Sequence, residues 1–351
     1  MTLEELVKKV QPADGQAYEL CQKRWNAVAK PVGSLGKLEE LLCRIAGISR
    51  RPAIYIEKKC VLVFCGDNGV LAQGVAQSTS EVTTAIAHSL SAETTSVNTM
   101  AKACGARVFP VDMGMVDDVP GLLNRKLGNG TKDISQGPAM SREQAIKGIL
   151  TGIQLVKDRV EEGYQLIATG EAGIGNTTTS SAMTAVLLGQ PVEVVTGRGS
   201  GLTDEGLLRK QRAIVAAIAC NQPDPADPVD VLAKVGGFDL AGMVGAFLGG
   251  AIYHVPVVID GFISAVAALC ATRICPLAVE YMLPSHISAE PAGRMLMAEL
   301  GFQPMIDGGL RLGEGTGGVA LFPLLDMAAA VYHHAASFED IQVEAYEPWE
   351  K

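Results

Sequence analysis

Apolar residues fall along this chain in short bursts at 60–65 (CVLVFC), 106–111 (ARVFPV), 165–169 (QLIAT), 192–196 (VEVVT) and 255–259 (VPVVI), separated mostly by longer segments with Ala-rich faces. Bursts of this length fit buried strands, and the longer segments with a recurring apolar face fit helices. The alternation predicts βαβα units, hence a parallel sheet covered by helices on both faces, with ligands beyond the C-terminal strand ends. One stretch, Leu240 to Ile259, runs twenty residues with His254 as its only strongly polar side chain, long enough for a membrane span. Its Gly and Ala content, Pro256 and the switch to β-branched residues at Val255 predict instead a buried helix over 240–252 and a strand over 255–259, closing on Asp260-Gly261. Helical patterns also occupy 1–48 and 319–337.

The 351 residues are 48% hydrophobic and 19% charged, enough for one large or two ordinary domains with a full core. A formal net charge of -9 argues against a nucleic-acid surface, because no stripe of Lys and Arg is there to displace phosphate counterions. A small-molecule substrate is expected. The N-terminal MTLEELVKKVQ is an amphipathic helix start and not a signal peptide. The eight cysteines are scattered through apolar runs without CxxC or zinc spacing, so they read as reduced core residues of a cytoplasmic protein without a bound metal.

The chemistry is concentrated at the expected strand ends. Gly66-Asp67-Asn68-Gly69-Val70 follows the first strand, the run from Gly170 to Ser181 (GEAGIGNTTTSS) the third, and Gly197-Arg198-Gly199-Ser200-Gly201-Leu202 the fourth. Capping by the Asn176–Ser181 run would explain one such loop. Three of them, together with a fourth glycine-rich turn over 308–318 (GGLRLGEGTGG), point to a shared ligand site. Glu314 is the only acid in that turn. The start of the following helix is expected to favour a phosphate, which would leave Glu314 as a base beside it.

Known nucleotide motifs do not account for these glycines. GxxxxGK[ST] is absent, and Gly313-x-Gly315-x-x-Gly318 matches GxGxxG with only thirty-three residues behind it, too few for the βαβ unit of a dinucleotide site. Nor is there an acidic pair flanked by hydroxyls for a magnesium diphosphoribose donor, so a donor that needs no metal or other cofactor is expected.

At this level of detail the chain resembles the nicotinate-nucleotide–benzimidazole phosphoribosyltransferases of cobamide lower-ligand activation. The resemblance rests on KPVGSLGKLE (30–39), CGDNGV (65–70), GEAGIGNTTTSSA (170–182), TGRGSGL (196–202), GGFDLAGMVGA (236–246), VVIDGF (257–262), SHISAEPAGR (285–294) and RLGEGTGG (311–318), in the family's order across nearly the whole chain. It implies an α/β fold, a doubly wound parallel sheet over about 49–318 with a small helical domain formed by the N- and C-terminal segments, 1–48 plus about 319–351. It further implies a dimer, either a homodimer or a heterodimer with a related chain. The implied reaction moves the phosphoribosyl group of nicotinate mononucleotide to an aromatic acceptor base, giving an α-ribotide and nicotinate.

By the same resemblance Glu314 is the catalytic base and Glu171 a second acid near the ribose. Gly175, Asn176, Thr177 and Ser288 line the nucleotide site, with Gly173, Gly199, Leu312 and Gly313 in the matching motifs beside them. Lys210 and Arg311 are the cations for phosphate or carboxylate, although GLLRKQR (206–212) alone reads as a solvated helix face. Asp260 and Gly261 would frame the ribose. His286 reads as a loop-fixing histidine, His333 and His334 as favourable charges late in a helix, and His88 and His254 as core or helix residues.

Two positions depart from the family pattern. Ser80 replaces a glutamine before Glu81-Val82-Thr83, and Ala172 stands where methionine is common. Both changes shorten side chains expected near the acceptor, which leaves room for a phenolic ring as well as a benzimidazole, and Ser80→Gln is expected to favour the latter. Two further readings are a weakly active subunit supporting a related partner, against which intact Glu314 speaks, and a dinucleotide oxidoreductase, supported only by the displaced GxGxxG.

Overall fold

Six strands run parallel in one sheet in the order β3-β2-β1-β4-β5-β6. They are β1 Lys59–Gly66, β2 Ala106–Gly114, β3 Leu123–Asn124, β4 Leu166–Ala172, β5 Val257–Ile259 and β6 Met282–Pro284. The computed structural model describes residues 1–346, so the last five residues of the expected C-terminal helical segment lie outside it. The order reverses between β1 and β4, and in such doubly wound sheets ligands gather at the carboxyl ends next to that reversal.

Fourteen α-helices accompany the sheet among the described residues. The first half of the chain contributes α1 Leu3–Val7, α2 Gly15–Ala27, α3 Lys37–Ser49, α4 Ser80–Ser91, α5 Ser96–Ala103, α6 Arg142–Glu161 and α7 Asn176–Leu188. The second half contributes α8 Val192–Val195, α9 Asp204–Asn221, α10 Pro228–Val235, α11 Phe238–Tyr253, α12 Phe262–Ile274, α13 Gly293–Glu299 and α14 Thr316–His334. Local signals explain several starts. Thr2 and Ser141 form capping boxes with Glu5 and Gln144, and Asp227 caps α10 ahead of Pro228.

The apolar stretch from 240 resolves into α11 and β5, and no helix among the described residues is long and apolar enough to cross a membrane. Every residue of α11 from Phe238 to Ala251 is buried. The helix lies against β1, β2 and β4 and is backed by α6 and α12. Glycines permit the closest of these approaches: a Cβ on Gly152 of α6 would stand 2.0 Å from the Gly242 carbonyl oxygen, and one on Gly245 2.0 Å from that of Ile149. On the other side α5 and α14 pack against β2 and β4 and against each other.

The expected strand at 192–196 is instead the single helical turn α8. Val192 and Val195 are buried while Val194 is 46% exposed, which is helical i,i+3 spacing; alternation would have buried Val194 with Val192. β4 runs further than its apolar burst, since Gly170, Glu171 and Ala172 pair with Val63, Phe64 and Cys65 of β1. β3 and β6 have no counterpart among the expected strands.

Residues from the two ends of the chain meet. The Trp25 and Tyr332 rings pack edge to face at 5.2 Å, Val28 and Ser337 form an antiparallel bridge, and α2, α3 and α14 pack in sequence. α1 lies against α6 and α11. His333 is held to the Ile54 carbonyl oxygen at 2.9 Å, so it is more than a free terminal charge. His254 caps α11 in the left-handed region and His88 is an exposed residue of α4.

Candidate active site

The carboxyl ends of β4 and β5, the start of α7 and the turn before α14 enclose one cavity. Strand β4 delivers Glu171 and Ala172 to it, the loop into α7 delivers Gly173, Gly175, Asn176 and Thr177, and the loop before α9 delivers Gly199. From the other side come Asp260 and Gly261 after β5, Ser288 after β6, and Arg311, Leu312, Gly313 and Glu314. Of the residues expected at the site, only Ser80 and Lys210 do not line it.

Glu314 sits in the left-handed region at φ +59°, a conformation unusual for a side-chain-bearing residue. Its backbone lies flat on β4 because Gly170 has no side chain: a Cβ there would stand 2.4 Å from the Glu314 carbonyl oxygen. Burial, with the nearby Asp260 carboxylate adding to it, holds the Glu314 carboxyl above the usual glutamate range.

Glu171 is buried at the end of β4 and is not an exposed helix-end charge. Its Oε2 accepts a hydrogen bond from Asn176 Nδ2, which also donates to Asp239 Oδ2 at 3.1 Å. Burial first, and the Asp239 carboxylate second, push Glu171 up to about 8, and burial pushes Asp239 up to about 6. Burial among carboxylates therefore favours the protonated form of Glu171. A Cβ on Gly313 would stand 2.4 Å from Glu171 Oε1, so the two glutamates share one corner of the cavity.

The helix start behind Glu314 does not await an anion, contrary to expectation. Asp260 already occupies it: Oδ2 accepts the Gly315 N–H at 3.1 Å, and Oδ1 accepts those of Gly317 and Gly318 at 2.7 and 3.0 Å. The formal GxGxxG thus has its amides engaged by a carboxylate of the same chain. Nor does the Asn176–Ser181 run cap α7, whose N-cap is Gly175 at φ +96°. Asn176 turns back to the carboxylates, and Thr178 to Ser181 are buried inside the helix.

Lys210 is fully buried one layer behind the wall. Its Nζ donates to Thr177 Oγ1 at 2.8 Å and to the Gly197 carbonyl oxygen at 3.1 Å, and burial lowers it to about 8. Gly199 lies in front, where a Cβ would stand 3.5 Å from that ammonium. Arg311 is an exposed cation at the rim.

Ser80 is corrected. It opens α4 as an exposed residue, and the inward face of that helix begins later, with Thr83, whose Oγ1 accepts the Ile174 N–H at 3.0 Å, and Ile86, which lines the cavity. Val75 and Ala76 line it from the preceding segment. Other lining residues not assigned from sequence are Phe262 to Ser264, directly after Asp260-Gly261, and Glu290, inside the quoted SHISAEPAGR segment. Asp239 likewise belongs to a quoted segment, GGFDLAGMVGA. His286 lines the cavity with its Nδ1 3.0 Å from Ser285 Oγ, in keeping with a loop-fixing role.

Known proteins share the sequence and the fold of this chain. The phosphoribosyltransferase family model matches residues 10–343. The nicotinate-nucleotide–dimethylbenzimidazole phosphoribosyltransferase of Ruminiclostridium cellulolyticum is 44% identical over 352 aligned residues, covering 100% of both chains. That of Clostridium acetobutylicum is 42% identical, covering 99% of each. The crystal structure of CobT from Thermus thermophilus superposes with a TM-score of 0.89 at 37% identity, covering 94% of this chain and 99% of that one. The chain belongs to the phosphoribosyltransferase family that includes these nicotinate-nucleotide–dimethylbenzimidazole enzymes.

Proposed function

We infer that this enzyme transfers the phosphoribosyl group of nicotinate mononucleotide to a cobamide lower-ligand base of the benzimidazole type, yielding an α-ribotide and nicotinate. The observation that carries the reading is the pairing of Glu314 and Glu171 in one cavity at the sheet reversal, each displaced upward in proton affinity. An acceptor ring nitrogen attacks the ribosyl carbon while the bond to the pyridinium nitrogen breaks. Its electron pair returns to the ring, which departs as nicotinate. The proton on the acceptor's second nitrogen passes to Glu314.

Nothing on the leaving side calls for an acid, since the pyridinium is already cationic. Glu171, held protonated, is assigned to the ribose as a hydrogen-bond donor. The donor phosphate is assigned to the start of α7 at Gly175–Thr177, which lines the cavity where the helix dipole favours an anion and Lys210 backs Thr177. Purified protein should release nicotinate from nicotinate mononucleotide when a benzimidazole is supplied. Turnover should survive exhaustive EDTA, because a single phosphate held by amides and a cation needs no Mg²⁺. Loss of turnover restored by magnesium would point to a diphosphate donor instead.

Acceptor choice is assigned to Ala172, Ile86, Val75 and Ala76, which wall one side of the cavity. Ala172→Met should change the benzimidazole-to-phenol preference by roughly tenfold to two-hundredfold, the range expected when a small apolar contact is added or removed. Ser80→Gln, on the exposed face of α4, should leave that ratio unchanged. Competition assays with paired acceptors read both variants, and a larger effect at Ser80 than at Ala172 would reverse the assignment.

The terminal segments, 1–48 with about 319–351, are proposed as a small helical domain, supported by the Trp25–Tyr332 and Val28–Ser337 contacts. A dimer, of identical or related chains, is proposed from the family resemblance. A cytoplasmic setting is supported by eight cysteines that are all free.

A further inference from the structure

We propose that Asp260 is a positioning residue for the transfer: its carboxylate straps the turn that carries Glu314 to the end of β5 and fixes that base in place. The proposal rests on the reading of Glu314 as the base. Both oxygens take part, Oδ2 through the Gly315 N–H and Oδ1 through those of Gly317 and Gly318. The strap is itself fixed. Asp260 is 2% exposed, its own N–H donates to Ser264 Oγ at 3.1 Å, and its carbonyl oxygen accepts from Ser285 Oγ at 3.1 Å.

The bonded residues begin immediately after Glu314, whose left-handed backbone persists only where its surroundings over-determine it. Gly170 clears space beneath the turn, and Asp260 supplies the tie. A carboxylate at the start of α14 also complements the helix dipole, so the strap is electrostatically favoured where it stands.

Three ionisable groups face Asp260: His286 from the segment after β6, Glu171 from β4, and Glu314 itself. A Cβ on Gly317 would stand 1.9 Å from His286 Nδ1 and 2.9 Å from Asp260 Oδ1, so imidazole, carboxylate and turn are packed without spare room. The negative charge of Asp260 favours the protonated form of Glu314. Removing it should lower the proton affinity of Glu314 and move the acid limb of kcat to lower pH.

Asp260→Asn and Asp260→Glu test this in steady-state assays with nicotinate mononucleotide and a benzimidazole across pH. For Asp260→Asn, kcat should fall about tenfold to a hundredfold, the scale of a base displaced by an ångström, with the donor KM within about twofold. Its acid limb should move to lower pH. Asp260→Glu keeps the charge but alters the reach, so kcat should fall less and the limb should stay.

A limb that does not move in Asp260→Asn, or a loss falling on donor KM, would make Asp260 a mere wall of the cavity and overturn the proposal. If thermal melting finds Asp260→Asn unfolded, Asp260→Glu carries the test, and wild-type kcat in that variant is then the overturning result. An unaltered enzyme that releases no nicotinate with any acceptor would refute the proposed transfer itself, an outcome distinct from either of these.

Discussion

Replacing Glu314 by Gln should lower kcat by about 2–5 kcal/mol of transition-state stabilisation, the range of a removed general base. Gln preserves the shape of the side chain and demands no more of the left-handed backbone than Glu does, so the donor KM should stay within a few-fold. The loss should appear in single-turnover chemistry as well as in steady state, because proton removal from the acceptor belongs to the chemical step. In the unaltered enzyme burial and Asp260 hold Glu314 above the usual glutamate range. Its kcat should therefore climb with pH along a limb displaced upward from that of an exposed glutamate, and the limb should be absent from Glu314→Gln. Near-normal turnover of the variant with a nitrogen acceptor would remove Glu314 from the role of base.

Glu171→Gln should stabilise the protein in alkali and leave its stability nearly unchanged in acid. The folded state raises Glu171 from 4.5 to about 8, so it holds this proton more tightly than the unfolded chain does. The associated stability is fully present below about pH 4.5 and is lost as pH rises toward 8. At about 1.4 kcal/mol per unit of displacement the effect reaches several kcal/mol. Gln is permanently neutral and can still accept the Asn176 amide, so it escapes this loss. Melting temperatures of both proteins at pH 5 and pH 9 decide the matter. The variant should gain several degrees at pH 9 alone, and parallel melting curves at the two pH values would mean that Glu171 is ionised in the fold.

The sheet is readable where each strand is a self-contained apolar burst. β1, β2 and β5 are such strands, and the Ala–Gly helix ahead of β5 declares itself by the change to β-branched residues. VEVVT misleads because a short valine-rich run satisfies a strand and one helical turn equally well. β3 is two residues long, below any periodicity, and β6, three residues like β5, reads Met282-Leu283-Pro284 and lacks the β-branched run that marks β5. Gly170 and Glu171 read as loop because both residue types are poor strand formers, yet β1 pairs with them and so carries Glu171 into the cavity. That Glu314 lines the cavity could be expected from the glycine-rich composition around it. Asp260 can be located at a strand end, but its partners lie 55 to 58 residues further on, and no local pattern encodes a tie of that span. Ser80 lies outside the cavity lining for a reason of phase: α4 begins at that residue, and only later positions turn inward.

The meeting of Trp25 with Tyr332, and of Ala27 with the Phe338 N–H, sets an order of events during synthesis. Trp25, Leu42, Ile45 and Ile48 are almost completely buried in the finished fold, and α14 supplies part of their cover. That cover is made nearly three hundred residues after α3, and at ribosomal rates of about 5–20 residues per second the wait is roughly 15–60 s. Throughout it α2 and α3 have each other but lack the cover that α14 supplies, and transiently exposed apolar surface of this kind is prone to aggregation. The helix that closes this face directly follows the turn bearing Glu314, so covering the early helices and seating the proposed base depend on the same element.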